Sequence, residues 1–208
     1  MIRSMKKSEN RRSGGEKILS TAVKLYYSRG INNVGIDEII KCSGVTKGSL
    51  YYHFKSKDDL VVAFLEYFNA QWLPDMKEKV SRMAPTPEKY LITFFDALGQ
   101  WFKSNTFRGC PNINTTAEIS NTDHTAFKKA LFFKQELLDY IEELVKQAGV
   151  VDSKEISLQV LLLIDGAIVR AAMTGKSESA IIAKRACAAL IVLANNQHTN
   201  EGSNKWKH

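Results

Sequence analysis

Apolar residues return every three or four positions along this chain and nowhere alternate, so the pattern predicts helices and no strands. Ile18, Ala22, Leu25 and Tyr26 mark one face of a first helix, residues 15–29. Ile36, Ile39 and Ile40 mark a second, which stops at Ser43-Gly44 because glycine adopts the left-handed conformation cheaply. Val45 is a buried spacer, and Thr46 can cap a third helix by accepting a hydrogen bond from a free backbone N–H. That short helix, Lys47 to about Phe54, buries Leu50 and Phe54 and turns Ser49, Tyr51, Tyr52 and His53 outward. Ser56, with Asp59 three residues on, opens a fourth helix from Lys57 to about Arg82, carrying Leu60, Phe64, Tyr67 and Phe68 near its start. Pro74 lies inside it and should kink or divide it.

The segment Met83-Ala84-Pro85-Thr86-Pro87 breaks the chain, and Pro87 suits the first position of a new helix. This one reaches about Asn105, with Tyr90, Phe94, Leu98, Trp101 and Phe102 in a stripe and Phe95 beside it. A further helix spans about Asn121 to Ala148 on Phe127, Leu131, Leu138, Ile141 and Val145. Two apolar helices rich in small residues close the pattern, Ser153–Thr174 and Ser177–Asn195. Small residues let helices approach closely, inside one chain or against a second copy. The fold class is all-α with about nine helices: a three-helix unit in residues 1–60, then a larger helical domain in 61–195. Residues 1–14 read as a disordered basic arm and 196–208 as a polar frayed tail.

Helix, glycine-containing turn and helix form a helix-turn-helix, whose second helix enters the DNA major groove. The stretch GVTKGSLYYHFKSKDDL, Gly44 to Leu60, resembles the DNA-binding signature of the tetracycline-repressor (TetR) family of bacterial regulators. Upstream, Glu16-Lys17-Ile18-Leu19 and Ala22 to Gly30 resemble that family's first helix and its terminating glycine. Val34-Gly35 departs from the pattern, which usually places Thr or Ser as the cap of the second helix. Glycine caps more weakly, so the departure bears on local stability more than on function.

Charge changes the picture by its placement. Of the 29 Lys/Arg and 22 Asp/Glu, residues 1–60 hold 12 and 6, so the surplus sits with the helix-turn-helix. Phosphate neutralisation requires that arrangement. Arg3, Lys6, Lys7, Arg11 and Arg12 of the arm suit phosphate or minor-groove contacts, or else form a solvated tail. No uninterrupted apolar run reaches the roughly 18–20 residues of a membrane span, and the N-terminus lacks a signal-peptide core. Cys42, Cys110 and Cys187 follow neither a disulfide nor a metal pattern. A cytoplasmic protein without a membrane segment is expected.

The resemblance implies double-stranded operator DNA as a partner, contacted by Thr46, Lys47, Gly48, Ser49, Tyr51, Tyr52 and His53, with Lys57 near the backbone. It implies a homodimer joined through the last two helices, where Leu163, Ala167, Ala171, Ile182, Ala186, Ala189 and Leu193 are the candidate interface residues. It also implies a small-molecule effector bound after about residue 61. The aromatics Phe68, Trp72, Phe94, Trp101, Phe102, Phe107 and Phe133 are candidates to line its site as a group, although plain core is the first reading of any one of them.

Pro111 places Cys110 at a helix N-terminus beside Arg108, where dipole and charge favour a thiolate. The segment GCPNINTTAE, Gly109 to Glu118, resembles a Gly-Cys…Ala-Glu signature of some TetR-like regulators, among them ones sensing electrophiles or oxidants. The alternative is a buried, inert cysteine. Cys42 and Cys187 read as packing residues. Phosphate-binding glycine loops and the hydrolase and metalloprotease motifs are missing, and the four histidines lack metal-ligand spacing. No enzyme, cofactor or metal is expected; a ligand-free architectural DNA-binding protein is the competing reading.

Overall fold

The computed structural model describes residues 13–204, with side chains described through residue 196. The basic arm before Ser13 and the tail side chains after Asn196 lie outside the described residues. Nine α-helices and no strand occur among the described residues: α1 Gly14–Arg29, α2 Ile36–Ser43, α3 Lys47–His53, α4 Lys57–Met83, α5 Tyr90–Phe102, α6 Pro111–Glu118, α7 Thr125–Gln147, α8 Ser153–Thr174 and α9 Glu178–Asn204. A 3-10 turn, Pro87–Lys89, leads into α5. The chain divides into two compact units at Leu73/Pro74, Gly109/Cys110 and Lys134/Gln135. The first holds α1–α3, the first part of α4, α6 and the first part of α7; the second holds the rest.

Local chemistry sets the helix ends of the first unit. Ser13 Oγ accepts from the Glu16 N–H at 3.2 Å while the Ser13 N–H donates to Glu16 Oε2 at 2.9 Å, a reciprocal capping box. Ser13 and Gly14 thus belong to α1 and its cap rather than to the arm. Gly44 takes φ 68° and ψ 24°, the left-handed turn the sequence predicts after α2. Thr46 Oγ1 accepts from the Ser49 N–H at 3.2 Å, and Ser56 Oγ accepts from the Asp59 N–H at 3.0 Å. Ile18, Ala22, Ile39, Leu50 and Leu60 are wholly buried, so one small apolar cluster holds the three helices to α4. Each leucine or isoleucine among them contributes about 1.5–3 kcal/mol by leaving water. Tyr26 meets Phe64 edge-on at 5.7 Å.

The second unit is built on α5. Phe94, Phe95 and Leu98 are buried on it, Phe94 lies 6.2 Å from the Tyr140 ring, and Lys77 Nζ stands 4.4 Å over that ring. Trp101, Phe102 and Phe107 form a three-ring cluster with centroids 4.9–5.9 Å apart. Gly99 lets α5 approach α9, where an added Cβ would reach 3.4 Å from the Ala180 Cβ. Lys184 Nζ joins Asp96 Oδ2 at 2.6 Å, and Ser179 Oγ donates to the Ala167 carbonyl at 2.8 Å, tying α9 to α5 and α8.

Several sequence expectations are corrected. Of the two outcomes expected at Pro74, division does not occur: α4 runs through it. The next helix stops at Phe102 rather than near Asn105, and α7 starts at Thr125 rather than near Asn121. The last helix continues to Asn204, because polar composition by itself does not stop a helix. Cys42 is exposed instead of packed, Phe54 is half-buried at the extended C-cap of α3, and Leu131 lies in solvent at 52% exposure. By length and apolar composition α8 would suffice to cross a bilayer, although no uninterrupted run in it is that long.

Candidate nucleic-acid interface

Helix α3 is seven residues long, and Leu50 is its one buried side chain. That anchor orients the rest. Thr46, Lys47 and Gly48 are exposed at its start, Tyr51 is 45% exposed, and Tyr52 reaches 84%. Helix geometry explains the split, since residues flanking a buried position by one or two point away from it. Tyr52 and His53 meet edge-on with centroids 5.0 Å apart, so the Tyr52 ring has one held neighbour while its hydroxyl end is open. Lys57 begins α4, half-buried beside the Ser56 cap.

Two residues that sequence reasoning missed complete this surface. A Cβ on Gly14 would stand 2.8 Å from Ser49 Oγ, and one on Gly15 would stand 3.0 Å from His53 Nδ1. The first turn of α1 therefore lies directly on the recognition helix, with Ser49 and His53 braced as well as outward-facing. The signal was present as the Gly14-Gly15 pair, but a glycine pair beside a polar segment reads as linker.

The other candidate residues distribute between the units. Phe68, Trp72, Cys110 and Phe133 belong to the first, and Phe94, Trp101, Phe102 and Phe107 to the second. Phe68 lies 5.4 Å from Tyr27 and Phe133 lies 5.7 Å from Phe132, ring centre to ring centre. Cys110 is the N-cap residue of α6 with Pro111 following, as the pattern predicts, but it is buried at 8% exposure. Arg108 Nη1 donates to the carbonyls of Phe107 at 2.7 Å and Asn105 at 3.3 Å. Burial pushes the Cys187 thiol up to about 12. Among the described residues no group of three or more His, Cys, Asp or Glu is arranged to hold a metal ion.

On α8 and α9 the candidate interface residues separate by face. Ile182 and Leu193 are 66% and 61% exposed, Ala186 and Ala189 are exposed with them, and Leu163 is half-buried. Ala167 and Ala171, 4% and 1% exposed, instead fill the seam inside the chain, a correction to their expected outward role. The outer side of α8 is occupied instead by Leu158, Leu162, Val169 and Met173, which the sequence reading did not single out.

Residues 18–64, from within α1 into α4, match the bacterial regulatory proteins of the tetR family. Over 180 residues the chain is 30% identical to the transcriptional regulator LmrA of Bacillus subtilis, covering 83% of this chain and 93% of LmrA. The chain belongs to the TetR family.

Other relatives share less of this TetR-family chain. The transcriptional repressor NemR of Escherichia coli is 30% identical over 105 residues, 50% of this chain, so that the match spans about half of NemR, 53%. A solved TetR-family regulator from Streptomyces coelicolor superposes with a TM-score of 0.77 at 26% identity, covering 87% of this chain and 95% of its own. The TetR family consists of transcription regulators, not enzymes, and its fold is the all-α one described above.

Proposed function

We propose that this TetR-family chain is a cytoplasmic transcriptional repressor that binds a palindromic operator as a homodimer and releases it when a small molecule binds. The observation that carries the reading is the outward row of α3: Thr46, Lys47, Gly48, Tyr51 and Tyr52 stand in solvent around a single buried anchor, Leu50. Short residues at the start of α3 admit base edges closely, and Lys47 and Lys57 suit phosphate. Ser49 and His53 position the helix and border the same face. The surplus positive charge of residues 1–60 adds sequence-independent attraction.

In this reading residues 1–60 are the DNA-binding segment, 61–195 the effector and dimerisation segment, and 196–208 an appendage. The exposed apolar residues of α8 and α9 support dimerisation, since an isolated soluble chain rarely leaves such a stripe open. A dimer of this kind carries its two recognition helices about 34–36 Å apart, matching half-sites one turn apart. The effector is an apolar or aromatic molecule, for which the candidate aromatics within either unit would serve as lining, or an electrophile reaching Cys110.

Selection of bound sequences from randomised duplex DNA at two salt concentrations tests the reading. Recovery of a palindrome bound by two chains is the expected result. Sequence-blind binding abolished by salt would instead favour an architectural role, and no binding at all would overturn the proposal.

A further inference from the structure

Helix α6 is fastened to the first unit at both ends. At its C-terminal end Glu118 Oε2 accepts from the Asn32 N–H at 2.7 Å, and Asn32 Nδ2 donates back to the Glu118 carbonyl at 3.1 Å. Asn32 lies in the turn between α1 and α2, 86 residues away in sequence. Gly30, at the start of that turn, has φ +87°, and a Cβ there would meet Glu118 Oε1 at 2.8 Å. Two independent demands therefore fall on Gly30: a left-handed torsion and room for a carboxylate. At the other end Asn112, 5% exposed, exchanges both amide hydrogen bonds with Asn69 of α4, at 2.8 and 3.0 Å.

Between these ties Thr115 is wholly buried, and its Oγ1 has no hydrogen-bond partner. A buried hydroxyl without a partner disfavours the seated position of α6, while the ties at its ends favour it. A helix held by such opposed contributions is a natural two-position element.

We propose that Glu118 is a positioning residue for DNA binding, latching α6 onto the α1–α2 turn so that seating of α6 and operator binding favour each other. The inference rests on the DNA-binding reading above. The carboxylate is the right group for it: a charged acceptor strengthens the hydrogen bond from the Asn32 N–H, and Gln at the same length keeps the shape without the charge. Thermodynamic linkage makes the coupling reciprocal, so operator bound at α3 holds α6 down. Cys110, the N-cap of α6 and buried, supplies a reporter, because its thiol is modified when α6 lifts.

The test uses the full chain carrying Cys42→Ser, which removes the exposed thiol; Cys187 is wholly buried. The rate of Cys110 modification by N-ethylmaleimide is followed by mass spectrometry, with and without the selected operator duplex. Operator is expected to slow modification about five- to tenfold, the size of a modest coupling. Glu118→Gln is expected to reduce that protection and weaken operator affinity several-fold, with the helical circular-dichroism signal retained. Thr115→Val is expected to act oppositely, slowing modification in the free protein. Equal operator protection in the Glu118→Gln and parent chains would overturn the latch, as would Thr115→Val accelerating modification. A parent chain that binds no operator overturns the DNA-binding reading itself, a result recognisable before any variant is made.

Discussion

Gly14 and Ser49 stand so close that a β-carbon on the glycine would lie 2.8 Å from the serine Oγ. The recognition helix is thus seated on the bare backbone of the first turn of α1, and Gly15 seats His53 in the same way at 3.0 Å. Gly14→Ala and Gly15→Ala should move the two effects apart. Alanine favours the helix by about 0.5–1 kcal/mol over glycine, which offsets the crowding. Thermal stability should hold while operator affinity falls several-fold as Ser49 and His53 shift. Affinity unchanged in both variants, measured by fluorescence anisotropy, would remove these glycines from the interface.

Lys47 and Tyr52 should separate phosphate attraction from readout. Lys47→Ala should reduce the slope of log affinity against log salt by about 1 per subunit, uniformly across sequences. Tyr52→Ala, at a position 84% exposed, should leave stability within about 0.5 kcal/mol and lower discrimination among sequences. Leu50→Ala is the contrast: its side chain is wholly buried, so a loss of about 2–5 kcal/mol of stability is expected. Urea denaturation distinguishes the two.

The outer face of α8 and α9 invites the same separation. Ile182→Asp or Leu193→Glu, both at exposed positions, should yield folded monomers in sedimentation and weaken operator binding steeply. Ala171→Leu adds volume at a position 1% exposed and should cost about 1–3 kcal/mol by overpacking without changing the oligomeric state. An Ile182→Asp chain that still sediments as a dimer would place the interface elsewhere.

Alkaline pH should unfold the protein through groups that burial keeps protonated. Burial pushes Tyr140 up to about 12, with the Glu143 charge assisting, and pushes Cys187 up to about 12 from an ordinary value near 9. Burial likewise raises Tyr26, helped by Asp58. The unfolded chain loses these protons first, so their contribution is intact below about pH 9 and declines as pH rises towards 12. Denaturation midpoints should therefore be level below pH 9 and fall above it. Cys187→Ala should flatten the early part of that fall; an identical slope in the variant would show that Cys187 does not contribute.

How much of this was legible in the sequence depends on the distance over which each feature is decided. The left-handed Gly44, the Thr46 cap and the Ser56 cap are settled within four residues, and all three stand as the pattern predicts. Ala167 and Ala171 were misplaced because α8 carries apolar residues on both sides, and only the position of α9 decides which side is inner. Leu131 and Cys42 failed for the same reason: an apolar residue at helical spacing is buried only if something covers it. The Glu118–Asn32 tie joins two polar residues across 86 positions, and nothing local to either predicts the other.

The turn that starts the recognition helix has one further property. A β-carbon on Gly44 would meet nothing within 4 Å, so no neighbour bars a side chain there. What bars it is the sign of a torsion, φ +68°, which costs an ordinary residue about 1–2 kcal/mol. The exclusion is thus one of chirality alone. A D-alanine introduced at this position by chemical ligation would suit the torsion that its L-counterpart resists, and would stiffen the unfolded chain as well. The bend between the two helices is specified by a mirror image that the genetic code lacks, and glycine, having no hand, stands in for it.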